Sequence, residues 1–234
     1  PEEVLVNQVV DIAEVYKNIE DWKPAMKTEV SALESMGAIK RTTYKEIAGR
    51  KPVVLPGKAV FAKKPSKEEP SGFKYKARVV VRGNYDDHQG DFYAAGIETV
   101  PLRILIRTAA WKSWAVGALD VRNAFLNANL DTVRPNQLIC MRPPQILVKN
   151  GLVKQEELWE MVRAVYGLKD APLAWALKRD KDLSQVKVEI SEVGGKTCVF
   201  RQSEDDGNVW RIEVEEVNWK TVPIGYLLVY VDDI

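Results

Sequence analysis

Ile224–Ile234 reads IGYLLVYVDDI, an apolar and aromatic run that stops abruptly at Asp232–Asp233. Eight residues of this kind, bounded by charge, read as a central β-strand with two carboxylates at its end. Working back along the chain, Trp114–Val121 (WAVGALDV) is a second apolar run, read as a buried strand with Asp120 near its end. If the two strands lie side by side in one sheet, three carboxylates converge at its edge. Such a cluster is unfavourable alone, because like charges a few Å apart raise one another's pKa. A divalent cation reverses that sign. Mg²⁺ takes oxygen ligands from carboxylates and phosphates, and two such ions about 4 Å apart clamp the attacking and leaving oxygens of a phosphoryl transfer. Blander readings stand beside this one: Asp-Asp is a common solvated turn, and Asp120 can cap the helix that follows it.

Composition limits the other chemistries. The chain has 234 residues, 46% hydrophobic and 29% charged, enough to bury one large core or two small ones. No apolar run approaches the roughly 20 residues of a membrane-spanning helix, so no membrane partner is expected. Cys140 and Cys198 match no zinc spacing and make no disulfide framework. With His88 the only histidine, acid–base or metal chemistry falls to carboxylates and lysines. The net charge of +1 is uninformative, but Lys63–Arg82 is clearly basic.

Local patterns give an α+β order. Trp22, Met26, Val30 and Leu33 recur at helical spacing, which predicts a helix over 21–37 capped by Asp21, with Pro24 in its first turn and Gly37 as its stop. Residues 51–62 read as turns plus a short strand, Tyr75–Arg82 as a second strand, and Lys64–Phe73 as the tip of a basic ribbon between them. Residues 101–115, Asn123–Leu130, Leu158–Tyr166 and Pro172–Leu183 read as helices, and Val186–Val222 as an irregular β-meander.

Four blocks carry a family resemblance: Lys74–Gly83 (KYKARVVVRG), Leu119–Ala128 (LDVRNAFLNA), Val165–Trp175 (VYGLKDAPLAW) and Tyr230–Ile234 (YVDDI). In this order and at this spacing they resemble the motifs of copia-type retrotransposon reverse transcriptases, and the likeness runs from about Trp22 to the end. It implies that Asp120, Asp232 and Asp233 form the catalytic triad holding two Mg²⁺ ions, with Mn²⁺ as a substitute. Phe125 matches the aromatic gate that clashes with a ribose 2′-hydroxyl; from its sequence setting alone it also reads as a core residue. Lys63, Lys64, Lys76 and Arg78 match the nucleotide-binding fingers hairpin, with the choice between Lys63 and Lys64 open. Tyr166, Gly167, Leu168 and Lys169 match the turn under the template and nascent base pair. Gly167 is the residue that lets backbone approach nucleic acid closely.

The resemblance further implies a right-hand fold: an extension over 1–20, fingers over 21–110, and a palm over 111–234 built on a ferredoxin-like split βαβ sheet. The partners implied are an RNA template with a DNA or tRNA primer, deoxynucleoside triphosphates, and the integrase and ribonuclease H domains of a polyprotein. Pro1 in place of an initiator Met leads us to expect a chain cut from something longer, and the resemblance implies that the end just after Asp232–Asp233 falls at the turn of the catalytic hairpin. RNA-directed DNA polymerase activity is therefore expected of the parent protein, and little or none of this fragment. The lack of a secretory pattern and the family's particle-based replication imply a cytoplasmic virus-like particle. Some positions depart from the family. Asp170 replaces Gln, placing a carboxylate where a template would pass; Leu173 replaces Arg; Asn127–Ala128–Asn129 replaces Asn-Gly; and residues 84–100 lack the usual aromatic and Pro pattern. A non-catalytic RNA-binding module and an inactive retroelement relic are the competing readings.

Overall fold

The structure is a computed structural model that describes residues 8–69, 71–90, 92, 94, 96–191, 194–215 and 223–231. In chain order its elements are β1 (Gln8–Val10), α1 (Ile12–Lys17), α2 (Ile19–Ser35), β2 (Ile39–Thr43), β3 (Val53–Pro65), β4 (Phe73–Val81) and α3 (Thr99–Lys112). Then follow β5 (Ile139–Arg142), α4 (Gln145–Lys149), β6 (Glu157–Met161), α5 (Ala171–Gln185), β7 (Lys187–Ile190), β8 (Lys196–Gln202), β9 (Val209–Val214) and β10 (Gly225–Leu228). The α+β class read from the sequence holds. The chain divides into two compact units, residues 1–90 with 125–171 and residues 91–124 with 172–234.

The first unit is built around β3. It pairs antiparallel with β4 from Gly57↔Val81 to Pro65↔Phe73, with β1 through Val9↔Ala62, and in parallel with β5 through Val53↔Ile139. β6 and β2 extend the sheet beyond β5. The hairpin tip falls where the polar linker predicts, but β3 is a 13-residue strand rather than a short one. α2 covers one face through Trp22, Met26, Val30 and Leu33, all buried. Trp22 packs edge-on against Phe61 (5.2 Å) and Tyr75 (4.6 Å). Each such side chain contributes about 1.5–3 kcal/mol on burial. The helix begins at Ile19 after Asn18, so Asp21 lies in its first turn instead of capping it, and Pro24 lies inside it. Gly37, at φ +63°, ends it as expected.

One helix read from the sequence is a strand. The first four residues of Leu158–Tyr166 belong to β6, which is hydrogen-bonded to β2 on one side and β5 on the other. With partners on both edges it is an interior strand, and Leu158, Trp159 and Met161 are all buried. A short apolar run of this kind has no periodicity that separates helix from strand. Asn123–Leu130 forms two 3-10 turns, Ala124–Asn127 and Leu130–Thr132, in place of one helix.

The second unit holds α3, α5 and the antiparallel sheet β10-β9-β8-β7, the meander that the turn signals predict. Its core gathers Trp175, Cys198, Trp210 and Val229. Three expectations fail here. Trp114–Val121 forms no strand: residues 115–120 are exposed, and only an isolated bridge marks Asp120. Ala115, Gly117 and Ala118 have low strand propensity, and among the described residues no ladder compensates for it. Ile224–Val231 contributes the four-residue β10, which among the described residues pairs with β9 alone and stands at the edge of the sheet rather than at its centre. Finally, the strands of this sheet follow one another in chain order with no helix between them, whereas a split βαβ unit sets a strand between two that a helix joins, so that unit is not formed among the described residues.

Candidate functional site

The β3–β4 register sorts the basic residues. Lys64↔Lys74, Ala62↔Lys76, Val60↔Arg78 and Lys58↔Val80 are directly opposed, and opposed residues share a face. Lys58, Lys64, Lys74, Lys76 and Arg78 therefore line the face turned away from α2. Phe61, Ala77 and Val79, on the other face, are buried. Lys63 belongs to that second face and is bound to Glu14 Oε1 at 2.8 Å. The bond to Glu14 raises the Lys63 pKa. Between the two adjacent lysines, the geometry selects Lys64 for the basic face. On that face the Lys76 pKa is lowered, first by burial and then by repulsion from Arg78 and Lys64. A bound anion would relieve that repulsion. The sequence reading missed Lys58 and Lys74; strand parity was the signal that could have found them.

Three of the singled-out residues meet at the end of the ribbon. The Arg78 guanidinium lies 4.4 Å above the Tyr166 ring, and Tyr166 meets Phe125 edge-on at 5.4 Å. Phe125 is half-buried, so it is neither a free surface ring nor an ordinary core residue. The turn at Tyr166–Lys169 docks on the open edge of β4, where the Val81 N–H donates to the Tyr166 carbonyl at 2.7 Å. Next to it, the Val79 N–H donates to Glu29 Oε1 at 2.9 Å, and burial raises the Glu29 pKa. Two glycines permit the approach. A Cβ on Gly167, at φ +91°, would lie 2.1 Å from the Val81 carbonyl oxygen, and one on Gly83 would lie 2.3 Å from that of Gly167. In this structure the backbone that Gly167 admits is that of β4. Leu168 is buried, and Lys169 Nζ donates to the Asp86 carbonyl at 2.7 Å.

Asp170 is not a carboxylate left open to a template. It is 2% exposed and accepts from Arg134 Nε at 2.7 Å. The sequence reading passed over Arg134, which carries no motif signal.

The aspartates lie in the second unit. Asp120 is exposed. The next helical turn starts at Ala124, so its cap position is Asn123 and the capping role for Asp120 falls away. Asp232 and Asp233 lie outside the described residues. The run leading to them is held within the same unit as Asp120: Trp114 lies 6.0 Å from Tyr226, the Ile97 N–H donates to the Val229 carbonyl at 3.3 Å, and Trp175 Nε1 donates to the Val231 carbonyl at 2.7 Å. Among the described residues no group of three His, Cys, Asp or Glu is placed to hold a metal ion, and no helix is long and apolar enough to cross a membrane.

Residues 42–210 match the family described as reverse transcriptase (RNA-dependent DNA polymerase). Among curated proteins, the chain is 29% identical over 219 residues to the retrovirus-related Pol polyprotein from transposon RE2 of Arabidopsis thaliana, covering 91% of this chain and 13% of that polyprotein. It is 30% identical over 165 residues to the polyprotein from transposon RE1 of the same plant, covering 69% and 10%. It is 29% identical over 160 residues to that from transposon TNT 1-94 of Nicotiana tabacum, covering 67% and 11%. The chain thus spans only about an eighth or less of each polyprotein. No solved structure matches it.

Proposed function

The chain belongs to the reverse transcriptase (RNA-dependent DNA polymerase) family, and from that premise we propose that it supplies the nucleotide-binding and acidic parts of an RNA-directed DNA polymerase within a copia-type Pol polyprotein. The observation that carries this reading is the convergence of Arg78, Tyr166 and Phe125, from three distant segments, at the end of a ribbon with a basic face. A cationic face suits a triphosphate and a phosphate backbone alike. A guanidinium held over a ring, with a second ring beside it, suits a sugar and base. In this reading Lys64, Lys76 and Arg78 bind the triphosphate, Phe125 excludes the ribose 2′-hydroxyl by steric repulsion, and Tyr166–Lys169 underlies the template. The ribbon belongs to the fingers, and the region bearing the aspartates belongs to the palm.

The donor set fits Mg²⁺. Asp120 offers an exposed hard oxygen ligand, and Asp232 and Asp233 would complete the site. When bound, the ions would supply charge stabilisation for transfer of a nucleotide to a primer 3′-hydroxyl. The chain's own residues hold the triphosphate and orient the sugar. The integrase and ribonuclease H domains, a tRNA primer and a cytoplasmic virus-like particle belong to the same proposal.

The test is primer extension on an RNA template with Mg²⁺ by the parent polyprotein, beside its Asp120→Asn variant. Extension by the wild type alone is the expected result. Equal extension by both would remove Asp120 from the site. The basic face also favours a second reading, a non-catalytic RNA-binding module. Salt-dependent RNA binding indifferent to Mg²⁺, with no extension by the wild type, would select it.

A further inference from the structure

The turn Tyr166–Lys169 crosses the end of β4 at Gly83 and Gly167, and the crossing is tied on both sides. On one side the Val81 N–H binds the Tyr166 carbonyl. On the other side stands Arg134, from a third segment. Its Nε donates to Asp170 Oδ2 at 2.7 Å, its Nη2 to Asp86 Oδ2 at 2.5 Å, and its Nη1 to Gln137 Oε1 at 2.8 Å. The Arg134 side chain is 1% exposed, and those of Asp86 and Asp170 are each 2% exposed. Arg134 is itself anchored, since its N–H donates to the Leu130 carbonyl at 2.9 Å.

The segments that Arg134 joins are the segments that carry the stack. Asp86 follows Arg78 out of β4, Asp170 follows Tyr166 at the end of the turn, and Arg134 follows Phe125 through the two 3-10 turns. We infer that Arg134 is a positioning residue that holds Arg78, Tyr166 and Phe125 in their mutual geometry. The inference rests on reading that stack as a nucleotide site. A planar guanidinium fork shared by two carboxylates fixes direction as well as distance. A lysine would keep the charge and lose the fork. The cluster lies on none of the ligand-facing surfaces, so Arg134 acts through the segments it joins. Lys169 reinforces the tie through its bond to the Asp86 carbonyl.

The experiment compares the wild-type chain with Arg134→Lys in three measurements. The first is hydrogen exchange at the Val81 amide, with Ala62 and Lys76 as ribbon controls. The second is affinity for a deoxynucleoside triphosphate with Mg²⁺. The third is affinity for single-stranded RNA. The expected result is Val81 exchange faster by about tenfold with the controls unchanged, triphosphate binding weaker by about tenfold, and RNA binding, which is spread along the whole basic face, weakened much less, because small misplacements in a site cost an order of magnitude or more. A purely structural role would leave the ratio of triphosphate to RNA affinity where it was. A folded Arg134→Lys with wild-type Val81 exchange, or with undiminished triphosphate affinity, overturns the inference. Should Arg134→Lys not fold, Asp170→Asn, which keeps an acceptor oxygen but removes the charge, carries the same expectation and the same overturning result. If the wild type binds no triphosphate while Val81 exchange still responds to Arg134→Lys, the tie is upheld and the nucleotide reading of the stack is what fails.

Discussion

The basic ribbon and the acid-bearing region are built on opposite principles. The ribbon has nine consecutive cross-strand pairs, a helix packed on one face and its open edge closed by Glu29 and Tyr166. Every cation on it has a position set by strand parity. Asp120, by contrast, ends an exposed segment without a ladder, and the run toward Asp232 pairs through only four residues of β10. Proteins hold binding surfaces on rigid elements, and regions of low local contact are the ones free to open. In the proposed reading, ligand capture falls to the first unit, and Asp120 sits on a segment with fewer backbone constraints.

Removing the ribbon's support should have the largest effect. Trp22 is 1% exposed and touches both strands, so Trp22→Ala should cost about 3–5 kcal/mol, read by urea denaturation. A loss below about 1 kcal/mol would mean that the ribbon stands without α2. Next comes Asp120→Asn, which should leave the RNA affinity of the first unit unchanged and slow primer extension by the parent polyprotein by about a hundredfold or more, since metal charge stabilisation is worth several kcal/mol. A parallel loss of RNA affinity would break the division of labour between the two regions.

What the sequence disclosed follows the same contrast. The α2 face and the hairpin were legible because their periods, 3.6 and 2, are written in adjacent residues such as Trp22–Met26 and Tyr75–Val79. The mixed class followed from them, but the basic tip did not: Lys64 and Lys67 there are balanced by Glu68 and Glu69, and the face of like charge lies along the paired strands. β6 was not legible, because Leu158–Met161 is a strand only by virtue of neighbours far along the chain at β2 and β5. Nor was the environment of Asp170: a carboxylate next to a template motif reads as exposed until Arg134, 36 residues away, is seen to bury it. Trp114–Val121 misled for the converse reason. Its apolar residues satisfy a strand pattern, but among the described residues no strand forms a ladder with it. The glycine at 167 was recognised as a site of close approach, while the backbone it admits lay beyond what a sequence discloses.

That glycine offers a finer test between the regions. Gly167→Ala meets both a left-handed φ and the Val81 carbonyl oxygen, and should cost about 3 kcal/mol from backbone strain and overpacking together. Gly194, in a turn of the second unit, has φ +75° and nothing within 4 Å of its Cβ position. Gly194→Ala should therefore cost only about 1 kcal/mol. Equal losses in thermal or urea unfolding would show that the crossing of Gly83 and Gly167 yields under strain.

The smallest effects separate the two faces of the ribbon itself. In the folded chain, burial and neighbouring cations lower the Lys76 pKa below its usual 10.5. The penalty on its charged form is full at neutral pH. It is released as pH rises through the folded pKa toward 10.5, where the unfolded state binds more protons than the native one. Lys76→Met should thus stabilise the chain at neutral pH by about a few tenths of a kcal/mol, solvent screening keeping the gain small, and should flatten the alkaline rise in stability. Lys63 has the opposite sign. Its pKa is raised by Glu14, so its contribution is present at neutral pH and is lost only as pH climbs through the raised value; Lys63→Met should destabilise slightly. RNA binding should reverse the ranking: Lys76→Met should reduce the salt dependence by roughly 0.7 in log–log slope, the value for one phosphate contact on a single strand, and Lys63→Met should leave it unchanged. Equal slopes for the two variants would mean that RNA does not distinguish the faces, and that strand parity is the wrong guide to which lysines bind.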